Sequence, residues 1–143
     1  MVIEQVSVFV ENKKGSLKDI LGILADGGVD LRAISIADTS DFGILRMIVP
    51  EPDATLELFR SRGVTASKTQ VTGCKLHDEP GALHKVLSTL CDADISVEYI
   101  YAFLTRSAGD AYVILRVEDN AAARDVLQRA GHSLISQDDI LTL

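Results

Sequence analysis

Val6, Val8 and Val10 fall on one face of the first segment of the chain, and this period of two predicts a half-buried strand. The period then lengthens. Leu17, Ile20, Leu21 and Leu24 stand at i, i+3, i+4 and i+7, an apolar stripe that predicts an amphipathic helix ended by Gly27-Gly28. Alternation returns over about 30–38 and 43–49, the pattern of a hairpin. A second helix is expected near 53–62, with Gly63 where a C-terminal cap belongs, and a last strand closes the unit.

The same order of periods then runs again. Cys74 and Leu76 take the place of the first valines, and Leu83, Val86, Leu87 and Leu90 repeat the helical spacing. Placing N12-K-K-G-S-L above D78-E-P-G-A-L sets Gly15 on Gly81, Leu24 on Leu90 and Asp26 on Asp92. Further on, Val49 meets Val117, Leu58-Phe59 meets Val126-Leu127, and Gly63 meets Gly131. The second hairpin is expected over about 95–105 and 110–117, turning at Ser107-Ala108-Gly109-Asp110, and its second helix over about 120–130. Each copy therefore reads βαββαβ, which makes the chain α+β. Two ferredoxin-like units stand in tandem, each an antiparallel sheet with its helices on one face. The expected units are 1–70 and 71–143, joined without a Pro- or Ser-rich linker. Units this small bury only marginal cores and lean on a neighbour.

Alternation also predicts what the helices leave uncovered. Tyr99, Tyr101 and Phe103, with Tyr112 and Ile114 on the next strand, fall on the helix-free face of the second copy; Phe9, Ile44 and Ile48 do so in the first. An apolar strip of this size marks an interface, so this face is expected to be covered by the other copy or by a second chain in a homodimer.

Composition narrows the function. Hydrophobic residues make up 47% and charged residues 24%, the balance of a folded domain. The net charge is −7 with no cluster of Lys or Arg, which argues against nucleic acid as a partner. The start, MVIEQVSVF, lacks the pattern of a signal peptide, and no apolar run is long enough to span a membrane. Cytoplasmic localisation with reduced thiols is expected, Cys74 and Cys91 being too isolated for a disulfide framework. His77, His84 and His132 share no metal-ligand spacing, and no nucleophile elbow, P-loop or dinucleotide-binding glycine pattern occurs. The expectation is a protein without catalytic activity, metal or cofactor.

The strand, the loop D-E-P-G-A-L (78–83), the helix and A-D-I-S-V (93–97) together resemble an ACT domain, and N-K-K-G-S-L (12–17) with G-G-V-D-L (27–31) repeats the resemblance in the first copy. The ACT domain is a small ligand-sensing module of regulated enzymes in amino-acid metabolism. The resemblance implies a sensor that binds a small amino acid or related carboxylate between paired domains, against the loop from first strand to first helix. It implies as ligand-binding residues Asn12, Gly15 and Ser16 in the first copy and Asp78, Gly81 and Ala82 in the second, with Asp30 and Ser96 leading into strand two. It further implies a homodimer, with an enzyme of amino-acid metabolism as a possible partner. Serine-binding members place a His before the loop and an Asn leading into strand two; here Val10 and Leu76, and Asp30 and Ser96, hold those positions, and Lys14 replaces the loop proline of the first copy.

The residue types suit that role. A helix start offers unpaired N–H groups to a carboxylate, glycine leaves the backbone approachable, and Asp or Asn accepts hydrogen bonds from an ammonium. Each residue also has a plain structural reading. Asp78 before Glu79-Pro80 is a good helix N-cap, Gly15 and Gly81 suit a tight turn with no ligand, and Asp30 and Ser96 read equally as solvated strand-entry residues. The alternative function is an assembly module whose ACT-like units mediate oligomerisation without ligand.

Overall fold

The structure, a computed structural model, describes residues 2–38, 40–105 and 108–143, so Ser107 of the expected turn lies outside the described residues. The first copy contributes strand β1 (Ile3–Glu11), helix α1 (Ser16–Asp26), strands β2 (Ala33–Asp38) and β3 (Phe42–Ile48) and helix α2 (Pro52–Ser61). Strand β4 (Ala66–His77) follows, then helix α3 (Ala82–Asp92), strands β5 (Val97–Ala102) and β6 (Asp110–Val117), helix α4 (Asn120–Arg129), strand β7 (Ser133–Ile135) and a short helix α5 (Gln137–Ile140). The chain divides into two compact units, Glu4–Thr69 and Gln70–Leu143, with Val2 and Ile3 belonging to the second.

In the first unit β3 lies between β1 and β2, antiparallel to both, with Val8 opposite Leu45 and Leu45 opposite Ile36. The predicted valines, Leu45 and Met47 face the helices and bury Ile20, Leu24 and Phe59. Lys68 at the start of β4 bridges Glu4 of β1 at 3.1 Å and Asp53 of α2 at 2.6 Å, which fastens the closing strand to the unit's first strand and second helix.

The second unit repeats this plan. β4 pairs antiparallel with β6 (Cys74 opposite Val113) and with β7 (Gly73 opposite Ile135), and β5 pairs with β6 (Ile100 opposite Leu115). The order β7-β4-β6-β5 places the first strand of the unit between its fourth and third, the ferredoxin-like arrangement. Cys74, Val113, Leu115 and Val117 pack on Val86 and Leu90 of α3 and Ala123 and Leu127 of α4.

The four helix ends also repeat. Gly28, Gly63 and Gly131 follow their helices with φ of 67°, 73° and 85°, and Asp94 takes the same left-handed turn at 59°. Three features differ from the sequence expectation. The last strand of the first copy and the first strand of the second are one uninterrupted strand, β4. β5 is shorter than 95–105, and its pairing with β6 shifts register between Val97 and Tyr99. Helix α5 was not anticipated: Ser136 caps it through the Asp139 N–H at 3.3 Å, while Asp139 accepts from the Ser136 N–H at 2.7 Å.

On the helix-free face of the second unit, Tyr101, Phe103, Tyr112 and Ile114 are buried within the chain itself, and Phe103 meets Tyr112 edge to face at 6.2 Å. Gly73 lies beneath Ile3 and Ile135 there, and a side chain at this position would collide with both. On the helix-free face of the first unit the exposure is uneven. Ile48 is fully buried, but Phe9 remains 70% exposed and Phe42 52%.

Candidate functional site

The two strand–helix loops are superimposable in their hydrogen bonds. Asn12 N–H donates to the Asp41 carbonyl at 2.9 Å, and Asp78 N–H to the Gly109 carbonyl at 3.0 Å, so each loop is tied to its neighbouring hairpin. Lys13 donates to Glu11 as Glu79 does to His77, both at 2.9 Å; Ser16 donates to Lys13 as Ala82 does to Glu79, both at 3.3 Å. Gly15 and Gly81 are the N-caps of α1 and α3, with φ of 90° and 87°. The space where a Cβ would project is open at both, so the left-handed backbone, not a close neighbour, is what requires glycine. Neither helix has a side-chain cap. Asp78 is therefore not the N-cap: the loop tightens through two further residues before the helix begins, Gly81 takes the N-cap position, and the Asp78 carboxylate stays exposed, with no partner among the described residues.

Around this common frame the two loops carry different charges. In the first unit a small cavity of about 170 Å³ is lined by Asn12, Glu11, Lys13 and Asp38. Lys13 pairs with Glu11 at 2.9 Å, which raises its ammonium above the ordinary lysine value, and Asn12 Nδ2 donates to the Ser40 carbonyl at 3.4 Å. Ser16 opens α1, half-buried, while Leu17, expected in the core, is 37% exposed because it sits in the first turn and lines this cavity.

In the second unit the cavity beside the loop holds about 260 Å³, between β4, the first turns of α3 and the segment 131–133. Ala82 opens α3 at its edge and is buried. Asp110 on its wall is neutralised by Lys75 at 3.1 Å and faces His77 at 3.7 Å, and Lys75 is held above its ordinary pKa by that hydrogen bond. The Thr89 hydroxyl donates to the Lys85 carbonyl at 3.0 Å, so the 2.9 Å contact with His132 Nε2 is donated by the histidine. Glu79 and the Lys85 side chain carry opposite charges into this space and have no side-chain partner among the described residues. The position of Lys85 is held by Asp19 in the first copy.

Asp30 and Ser96 are not brought to the loop of their own unit. Each lies beyond the far end of its unit's first helix, and eleven helical residues span about 16 Å. Asp30 is exposed and pairs with Arg32 at 3.5 Å; Ser96 lines a separate and larger cavity. Sequence reasoning missed Lys75, Lys85 and His132, which periodicity treats as solvated positions. The only signal available was the charge change from Asp19 to Lys85 between aligned copies.

Residues 1–143 match the family described as ACT domain pair. The chain belongs to this family. A protein of Bacteroides thetaiotaomicron is 34% identical and superposes with a TM-score of 0.92, covering 100% of this chain and 98% of that one. The regulatory subunits of aspartate kinase from Thermus thermophilus and Thermus flavus share the fold of the ACT domain pair. They superpose with TM-scores of 0.62 and 0.61 at 14% and 16% identity, over 91% of this chain and 93% and 94% of theirs. No curated protein matches by sequence. Among the described residues, no helix is long and apolar enough to cross a membrane and no group of His, Cys, Asp or Glu is placed to hold a metal ion.

Proposed function

We propose that this ACT domain pair is a non-catalytic sensor in amino-acid metabolism that binds a small amino acid or related carboxylate at its strand–helix loops, with the Gly81 loop as the principal site. The observation that carries this reading is the loop itself, built twice, bond for bond, around a left-handed glycine with open space above it and no side chain capping the helix. First-turn N–H groups left without intrahelical partners suit a carboxylate. Beside the second loop, the free Lys85 ammonium adds a positive charge for that carboxylate, and Glu79 with Asp78 provides acceptors for the ligand's ammonium. Asn12, Ser16 and the Lys13–Glu11 pair offer a smaller and more self-satisfied counterpart in the first unit. Asp30 and Ser96 would complete these sites only from another domain.

A thermal-shift series with the common amino acids at millimolar concentration tests this reading, since a ligand that binds only the native state raises its apparent stability. At least one small amino acid is expected to raise Tm, and Asp78→Ala to abolish the rise. A flat response throughout would favour the alternative, an assembly module. One observation favours that alternative: Phe9 and Phe42 leave an apolar strip open on the first unit. A second copy of the chain would cover it, and light scattering of wild type against Phe9→Glu reads out whether a homodimer depends on it.

A further inference from the structure

We draw no further inference here: the strongest candidate, the exposed apolar strip of Phe9 and Phe42 on the helix-free face of the first unit's sheet, is the surface already weighed for a second copy of the chain, and nothing in the structure shows what covers it.

Discussion

Two glycines show how much a single position contributes. Gly15 and Gly81 stand at φ of 90° and 87° with open space around the missing Cβ, so alanine at either site costs only the strain of a left-handed backbone. Each substitution is expected to lower unfolding free energy by about 1–2 kcal/mol, read as a lower denaturant midpoint with unchanged slope. The two cysteines separate in the same way. Burial raises the Cys74 thiol from 9.0 to about 11, while Cys91 is exposed. The thiolate is the reactive form, so iodoacetamide near pH 8 is expected to label Cys91 alone until the chain is unfolded. Because the folded pKa is raised, the contribution of a neutral Cys74 to stability is complete below about pH 9 and is lost as pH rises through about 11. Of these facts, the glycines were legible from their repeat and Cys74 from its inward position; the left-handed φ of Asp94 was not, since nothing in A-D-I-S distinguishes it from a solvated turn.

At the scale of elements, the helices and strands followed the periods closely, because apolar spacing records which face each element buries. The helix starts did not. Asp78-Glu79-Pro80 has the composition of a cap followed by a first turn, yet the helix begins after Gly81, since three-residue tightening of the loop places the glycine at the boundary. Where a cap does form, at Asp119, its side chain accepts from the Ala122 N–H. The two aspartates should therefore respond oppositely to removal. Asp119→Ala is expected to cost about 1 kcal/mol of stability. Asp78→Ala should change stability by less than about 0.5 kcal/mol, as at any exposed site without partners, while removing the response to a small amino acid. Chemical denaturation of the two variants side by side checks this, and a stability loss at Asp78 equal to that at Asp119 would return it to a structural role. Helix α5 carried a legible signal in Ser136-Gln137-Asp138-Asp139, a capping box, but four residues are too few for periodicity to register.

For the whole molecule, the repeat made the plan of two βαββαβ units readable, because two aligned copies average out the ambiguity of each. What alignment cannot show is that their shared border is a strand. β4 runs unbroken from Ala66 to His77 across the division between Thr69 and Gln70, with Val71, Thr72 and Cys74 fully buried. The division between the units therefore falls within a single strand. Units of about seventy residues bury a modest share of their surface and are marginal alone. These two facts point to a single cooperative transition. Scanning calorimetry is expected to show one peak whose van't Hoff enthalpy matches the calorimetric value of roughly 100 kcal/mol for a chain of this length near 60 °C. Two peaks of about half that enthalpy would show that the units melt independently and that the continuous strand transmits nothing. Val71→Pro, which removes a donor in mid-strand, discriminates further: it should lower the single transition as a whole, and not detach one unit from the other.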